Sequence, residues 1–299
     1  MISPKYLIKS DTVAIVSTAR KISLEEIKPA IELLESWKLN VKIGKTVGLE
    51  ENQFAGTDEL RRKDFQDMLD DGEVHAIWCA RGGYGTVRIL DALDFTNFKK
   101  NPKWIIGYSD VTVLHSHIHN LGIESLHATM PINVSKNSSE ALNSLKDTLF
   151  GNRLEYLIKP DKLNKFGKAN GRLVGGNLSI LYSLLGSETT IKTKGRILFI
   201  EDLDEYLYHI DRMMQNLKRN GYFEGLKGLI VGSMSDMNDN VIPFGKTAKA
   251  IVFDVCKDYD FPICFEFPAG HVDDNRALIF GRNIQLEVDS RQSKVNISK

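Results

Sequence analysis

Short apolar runs alternate with amphipathic stretches through the first half of the chain, and this alternation limits the folds that the chain can adopt. Residues 12–17 form an apolar run typical of a buried strand, and residues 24–37 follow with apolar side chains at helical spacing. The same succession recurs from residues 76–79 and from residues 104–106. This pattern predicts an α/β fold with a parallel sheet and helices on both of its faces.

The second half of the chain is less regular. Residues 162–171 are rich in Lys, Asn and Gly, which predicts a linker or extended connection, with a surface excursion inside one domain as the alternative. Residues 175–185 are predicted to be helical, and residues 278–280 and 284–288 to form a terminal hairpin. A chain of 299 residues is long enough for two domains, and we place their division near residue 160.

Composition excludes several classes of protein. Lys plus Arg and Asp plus Glu both number 39, so the net charge is zero and no basic excess points to nucleic acid or an anionic membrane. No apolar run approaches the roughly 18 residues of a membrane span, and the N-terminus lacks the pattern of a signal peptide. Three widely spaced cysteines are expected to be reduced thiols in a cytoplasmic protein.

The first candidate for chemistry is Ser109, at which residues 105–110 turn sharply from a predicted strand into a helix. Ligands of open α/β sheets meet the carboxyl ends of strands, and N–H groups at a helix N-terminus can hold an oxyanion. The turn resembles a nucleophile elbow but lacks the second glycine of G-x-S-x-G. Alternatively, Ser109 is a plain N-cap with Asp110 in the first helical turn.

A glycine-rich turn, A-R-G-G-Y-G-T at residues 80–86, directly follows a predicted strand. Such a loop lets backbone N–H groups approach an anion closely. It matches neither G-x-G-x-x-G nor a P-loop, so the sequence predicts no nucleotide site. A tight turn with a purely structural role is the alternative.

An acid and a histidine also follow predicted strands. Glu201 comes directly after the apolar run of residues 195–200, and His271 lies in a loop after residues 263–265. Each alone has a simpler explanation, as a solvated acidic helix start or as an ordinary loop histidine. Together they complete the order Ser109, Glu201, His271, in which the serine attacks a carbonyl, the histidine is its general base and the acid orients the histidine.

Three histidines form a competing metal-binding hypothesis, because His115 and His119 are four residues apart on one predicted helix face, with His117 between them. No Glu follows His115, so the H-E-x-x-H motif of metalloproteases is absent. No nearby cluster of carboxylates or cysteines completes a site in the sequence. Capping and packing roles are therefore favoured for these histidines, and no metal is predicted.

Five motifs occur in one order along nearly the whole chain. They are A-R-G-G-Y-G at residues 80–85, G-Y-S-D-V-T at 107–112, G-G-N-L-S at 175–179, Glu201-Asp202 followed by Y-x-I-D-R-M at 208–213, and G-H at 270–271 with Asn275. Together they resemble the L,D-carboxypeptidase family of serine peptidases. That family includes the murein tetrapeptide carboxypeptidases and the microcin C self-immunity peptidases.

The resemblance implies a fold in two parts. Residues 1–160 are the implied Rossmann-like domain, a parallel sheet flanked by helices that carries the nucleophile Ser109. Residues 161–299 are the implied β-rich α+β domain, which supplies the acid Glu201 and the base His271. The site is implied to lie in the cleft between them, and the protein to be a homodimer without a metal or organic cofactor.

The resemblance also implies residue roles and an activity. The backbone N–H groups of Gly83, with Gly82 as the alternative, and of Asp110 are the implied oxyanion hole, and Arg81 is a candidate for the substrate carboxylate. The implied function is a cytoplasmic serine carboxypeptidase that cleaves an L,D-peptide bond, releasing the terminal D-Ala of a murein tetrapeptide in peptidoglycan recycling. A microcin C-type self-immunity peptidase and a catalytically inactive peptide-binding relative are the alternatives.

Two segments depart from the family pattern. One is S-T-A-R at residues 17–20, and the other is R-A-L-I-F-G at residues 276–281. Both are expected near the cleft, so they bear on the substrate more than on the three proposed catalytic residues.

Overall fold

Residues 1–297 are described by the computed structural model, and they form two β-sheets with helices packed on them. In this part of the chain the first sheet has six strands, numbered in chain order: β1 (Thr12–Val16), β2 (Asn40–Ile43), β3 (Val74–Cys79), β4 (Trp104–Gly107), β5 (Ser125–His127) and β11 (Leu278–Phe280). The first five are parallel in the order β2-β1-β3-β4-β5. β11 covers the far edge, antiparallel to β5.

The second sheet has seven strands within residues 1–297. They are β6 (Leu154–Ile158), β7 (Gly167–Asn177), β8 (Arg196–Leu203), β9 (Gly228–Ser235), β10 (Ile263–Cys264), β12 (Asn283–Val288) and β13 (Ser293–Ile297). β7 to β10 are parallel neighbours, and β12, β13 and β6 continue from β7 as antiparallel neighbours. The two sheets confirm the predicted α/β fold, with a parallel sheet first and a β-rich part after it.

Capping side chains fix where several helices begin. Ser23 and Glu26 form a capping box, and the hydroxyls of Thr57, Ser138 and Thr247 accept backbone N–H bonds at three further starts. The α-helices of residues 1–297 are α1 (Leu24–Ser36), α2 (Asp58–Asp70), α3 (Val87–Leu90), α4 (Thr96–Lys100), α5 (Thr112–Asn120), α6 (Ser139–Leu149), α7 (Leu178–Ser183), α8 (Leu207–Arg219) and α9 (Ala248–Cys256). None of the helices in this described part is long and apolar enough to cross a membrane.

One apolar core joins the two sheets. It contains Ile15 and Trp78 from the first sheet and Phe199 and Leu286 from the second, and each of these side chains is buried. Burying apolar surface stabilises a fold by roughly 25 cal/mol per Å². The shared core therefore fixes the sheets relative to each other, and with them the loops at the ends of their strands.

The strand order of the first sheet places a switch point between β1 and β3. The chain leaves β1 towards β2 on one side, and leaves β3 towards β4 on the other. Loops that diverge at such a point leave a crevice at the carboxyl ends of the strands, where open α/β sheets bind ligands. The loop after β1 carries Arg20, and the loop after β3 carries Gly82 and Gly83.

The predicted terminal hairpin of residues 278–280 and 284–288 is wrong. β11 pairs with β5 of the first sheet, whereas β12 pairs with β7 and β13 of the second. Gly281, at φ +93°, lies where the chain passes from one sheet to the other. A short apolar run has the same pattern in either sheet, so periodicity alone cannot identify its partner strand.

β7 overturns two further expectations. The linker predicted at residues 162–171 is part of this strand from Gly167 onwards, and the helix predicted at residues 175–185 begins only at Leu178. The first half of β7 alternates between half-buried and exposed positions, and Gly175 and Gly176 in its second half pair with β8. Glycine and polar residues carry little apolar signal, so the sequence pattern did not identify a strand here.

The division of the chain near residue 160 stays a prediction. The sheets exchange strands across that position, because β6 precedes it and lies in the second sheet, while β11 follows it and lies in the first. Residues 298–299, the end of the predicted second domain, lie outside the described residues.

Gly175→Ala is expected to lower the free energy of unfolding by at least about 2 kcal/mol. A Cβ at this position would lie 2.7 Å from the carbonyl carbon of Phe199, which the β7–β8 pairing holds in place, and φ is +139°. Gly72→Ala is the matched control, since its added Cβ would meet no atom within 4 Å. Chemical denaturation checks both variants, and equal unfolding midpoints would contradict the expectation.

Candidate active site

β4 leads into a turn that holds Ser109 in an uncommon backbone conformation. Its φ is +61°, in the left-handed region that residues other than glycine seldom adopt. Gly107 is needed before it, because a Cβ there would lie 2.8 Å from Val111 Cγ2. A 3₁₀ turn (Ser109–Val111) and then α5 follow at once. Ser109 is therefore at a helix N-terminus, and it is partly exposed while Tyr108 and Asp110 are buried.

His115 supports this turn from within the fold. Its Nε2 lies 2.9 Å from the Gly107 carbonyl oxygen, and its Nδ1 lies 2.8 Å from Ser125 Oγ in β5. Burial lowers the pKa of His115 to about 4, so the ring is neutral. Within residues 1–297, no group of three His, Cys, Asp or Glu side chains is arranged to hold a metal ion. Both ring nitrogens of His115 are therefore engaged in contacts that support the serine turn.

The glycine-rich loop after β3 lies against the Ser109 side chain. A Cβ on Gly82 would lie 3.1 Å from Ser109 Cβ and 3.2 Å from its Oγ. Gly83 has φ +106°, which glycine adopts without strain. Asp110 is the second residue of the 3₁₀ turn, where a backbone N–H has no acceptor inside the helix. The glycine-rich loop and the 3₁₀ turn thus both adjoin the Ser109 side chain.

Buried charges hold the glycine-rich loop in place. Asp110 Oδ2 accepts a hydrogen bond of 2.8 Å from the Thr86 N–H. Burial raises the pKa of the Asp110 carboxyl, and the hydrogen bonds from Thr86 oppose that rise. Arg61 of α2 is fully buried and donates to the carbonyls of Gly85, at 3.0 Å, and Thr18, at 2.6 Å. One guanidinium therefore ties the loop after β3 to the loop after β1.

Sequence reasoning missed Arg61, although the sequence contains a signal for it. Arg61 precedes Phe65 by four residues and Met68 by seven, so the three side chains share the buried face of α2. A charged residue on a buried helix face must find partners inside the fold.

Glu201 and His271 meet at the end of the second sheet. Glu201, in β8, is completely buried, and its Oε2 lies 2.7 Å from His271 Nδ1. Gly270 leaves room for this contact, because a Cβ there would lie 2.7 Å from the same oxygen. Burial alone would lower the pKa of His271, but the charge of Glu201 and its hydrogen bond outweigh burial and the pKa is raised.

Asp202 is a second buried carboxyl beside this pair. It accepts hydrogen bonds of 2.9 Å from the side-chain amide of Asn177 and from the backbone N–H of Ser179. Burial, followed by the charge of Glu201, raises the pKa of Asp202 to about 7. Its only signal in the sequence was its position next to Glu201 at a strand end.

The ring of Tyr108 connects the acid–histidine pair with the serine turn. Its centroid lies 4.9 Å from that of His271, with the rings inclined at 62°, and Tyr108 directly precedes Ser109. The His271 loop is also tied to the first half, because the Ser138 N–H donates to the Asp273 carbonyl at 2.9 Å. Tyr108 thus places the serine turn next to the loop that carries His271.

Arg81 makes contacts beside the N-terminus of α1. One guanidinium nitrogen donates to the Lys21 carbonyl at 3.2 Å and lies 3.9 Å from Glu26 Oε1. Its assignment to the substrate carboxylate stays a prediction.

Known proteins share both the sequence pattern and the fold. Residues 13–128 match the LD-carboxypeptidase N-terminal domain family, and residues 170–286 match the LD-carboxypeptidase C-terminal domain family. A probable murein peptide carboxypeptidase of Bacillus subtilis is 36% identical over 302 residues, which cover 98% of this chain and 93% of that protein. The Microcin C7 self-immunity protein MccF of Escherichia coli is 24% identical over 298 residues, which cover 89% of this chain and 86% of that protein.

A solved structure agrees over the same length. The crystal structure of muramoyltetrapeptide carboxypeptidase from Oxalobacter formigenes matches with a TM-score of 0.86 at 25% sequence identity, and covers 96% of this chain and 99% of that one. Fold and sequence therefore define a serine-type peptidase. The chain belongs to the LD-carboxypeptidase family, as its motifs predicted.

Glu201→Gln is expected to lower the pKa of His271 below the ordinary histidine value. The substitution removes the charge that holds the pKa of His271 up and leaves the burial that depresses it. Titration of the His271 ring nitrogens by NMR measures the change. Glu205→Gln is the control, because Glu205 lies on the same acidic segment but pairs with His209. It should leave the pKa of His271 unchanged. An unchanged His271 titration in Glu201→Gln would refute the assignment.

Proposed function

We propose that this enzyme hydrolyses the last, L,D-linked peptide bond of a small peptide, with Ser109 as nucleophile, His271 as general base and Glu201 as the acid that orients the base. One observation carries the proposal. The fully buried Glu201 accepts a 2.7 Å hydrogen bond from His271 Nδ1, and His271 packs against Tyr108, the residue that precedes a partly exposed serine held at φ +61°. An accessible hydroxyl, a base and an orienting carboxylate are the groups that acyl transfer through a serine requires.

The proposed sequence begins at the second ring nitrogen of the histidine. Because Glu201 engages Nδ1, Nε2 of His271 is left to accept the hydroxyl proton as Ser109 Oγ attacks the carbonyl carbon. The tetrahedral intermediate then breaks its C–N bond, and the imidazolium returns the proton to the leaving amine. Water attacks the resulting ester while His271 again accepts a proton, which releases the shortened peptide and restores Ser109.

The raised pKa of His271 has a direct meaning in this sequence. Glu201 favours the charged ring, and the charged ring is the form that appears when the serine proton is transferred. The base acts only when it is neutral, so the rate is expected to fall as the pH drops through the raised pKa of His271.

The proposed oxyanion hole consists of the backbone N–H groups of Gly83 and Asp110, with Gly82 as the alternative to Gly83. Gly82 lies against the Ser109 side chain, and Asp110 is the next residue in the helical turn. Preorganised backbone donors stabilise the negative charge of the tetrahedral intermediate without reorganising during the reaction. The buried Arg61 and Asp110 side chains keep these donors in position.

The substrate proposed for this site is a murein tetrapeptide that loses its terminal D-Ala in peptidoglycan recycling. The names of the Bacillus subtilis relative and of the Oxalobacter formigenes structure support this choice. A cytoplasmic location agrees with the free, buried thiols of Cys79, Cys256 and Cys264. The proposed homodimer rests on the family resemblance, and sedimentation equilibrium of the purified protein tests it.

The similarity to MccF makes a microcin-type peptidase the second candidate. A panel of substrates separates the two: tetrapeptides ending in an L,D or an L,L bond, and an aminoacyl-sulfamoyl nucleoside. Release of D-Ala from the L,D peptide alone, detected by mass spectrometry, is the expected result. Cleavage of the nucleoside alone would favour the microcin-type activity. Cleavage of none of them would favour an inactive peptide-binding relative.

Ser109→Ala is expected to reduce kcat for D-Ala release by roughly a thousandfold or more, because no acyl-enzyme can form. Ser116→Ala, in α5, is the matched control. Its hydroxyl is buried without a hydrogen-bond partner in the described residues, so its loss should be nearly neutral. Product formation is followed by mass spectrometry in both variants. Full activity in Ser109→Ala would exclude the serine mechanism.

A further inference from the structure

We propose that Arg20 binds the free carboxylate of the substrate's C-terminal residue and so makes the enzyme an exopeptidase. The inference rests on the proposed function, because it takes Ser109 and Gly83 as the positions of the nucleophile and of an oxyanion donor. It assigns a role to the S-T-A-R segment, which the sequence showed only as a departure from the family pattern.

The stem of Arg20 lies directly on the glycine-rich loop. A Cβ on Gly83 would overlap its Cδ, would lie 2.6 Å from its Cγ and 3.4 Å from its Nε. On the neighbouring Gly82, an added Cβ would lie 3.2 Å from the hydroxyl oxygen of Ser109. Arg20 and Ser109 therefore contact neighbouring residues of this loop, whose Cα atoms are about 3.8 Å apart.

That spacing matches the chemistry of a C-terminal residue. Only the amide nitrogen and one Cα separate the scissile carbonyl carbon from the terminal carboxylate carbon, so the two carbons lie within about 4 Å of each other. A cation that binds the carboxylate must therefore lie next to the oxyanion hole. Arg20, packed on the proposed donor Gly83, is at such a position.

The backbone around Arg20 is fixed before any substrate arrives. Ser17 donates from its hydroxyl to the Arg20 carbonyl at 2.6 Å, and Ala55 donates to the Ala19 carbonyl at 3.1 Å. Arg20 also forms a β-bridge with Phe54. The buried Arg61 guanidinium bonds the Thr18 carbonyl of the same turn. A side chain on such a rigid turn loses less freedom on binding than one on a mobile loop.

The guanidinium of Arg20 is available to a ligand, unlike those of the three arginines near the same loop. In the part of the chain that the structure describes, it makes no ion pair and donates no hydrogen bond. Arg61, Arg81 and Arg88, in contrast, each have a carboxylate partner, Asp58 or Glu26. Guanidinium and carboxylate groups fit each other through two parallel hydrogen bonds, which also select for geometry.

The test compares two substrates that differ only at the carboxyl end, an L,D-tetrapeptide and its C-terminal amide. In Arg20→Gln, kcat/KM for the free acid is expected to fall roughly tenfold to a hundredfold, mainly through KM, while kcat/KM for the amide changes little. Arg20→Lys should retain part of the preference for the free acid over the amide. Lys21→Gln removes the adjacent exposed cation and is the control. Equal losses on both substrates, no loss on either, or a selective loss in Arg81→Gln would overturn the proposal.

A binding measurement keeps this proposal separate from the proposed function. Calorimetric titration of the tetrapeptide into Ser109→Ala, with and without Arg20→Gln, reports carboxylate recognition in the absence of turnover. Weaker binding in the double variant supports Arg20 even if the wild type cleaves a different bond, and equal binding excludes it. A wild type that releases no D-Ala contradicts the proposed function alone, whereas a tetrapeptide that does not bind at all contradicts both.

Discussion

The hydrogen bond between Glu201 and His271 is the contact that the rest of the molecule has to accommodate. Removing a carboxylate from water completely is unfavourable by several kcal/mol unless a partner compensates. Here the partner is a histidine on a loop of the second half, and Gly270 permits the approach because any Cβ would touch the carboxylate. The buried pair explains why the loop must be held firmly from both sides.

The first half contributes the other side of that support. The Tyr108 ring packs on His271, and α6 binds the loop through the Ser138 N–H. The same Tyr108 precedes the strained Ser109, whose turn is stabilised by the buried His115. The strain at the serine and the burial of the acid are thus sustained by one set of contacts. Strain of this kind persists only where surrounding structure determines it strongly.

Much of this arrangement could be predicted from the sequence, because its elements are local. Ser109, Glu201 and His271 each follow an apolar run, and strand ends are where α/β sheets place their chemistry. What could not be predicted depended on contacts between distant segments. The partner of β11 was not identifiable from three apolar residues.

Two arginines illustrate the same limit. Arg61 is an ordinary charge in the sequence and becomes a link between two loops only because α2 buries its face. Arg20 was visible only as an unusual residue in a family turn. Its position on Gly83 follows from the order of β1 and β3 in the sheet, which no local pattern contains.

The place of β11 in the first sheet has a consequence for how the chain is made. Leu278 pairs with His127, which precedes it by 151 residues. While the ribosome synthesises the protein, β5 therefore remains an open edge whose outward backbone groups are unpaired until residues 278–280 emerge. Domains generally fold as units, N-terminal first, but this N-terminal sheet stays incomplete until β11 of the C-terminal half has been made. A nascent chain therefore exposes that edge until residues 278–280 can pair with it.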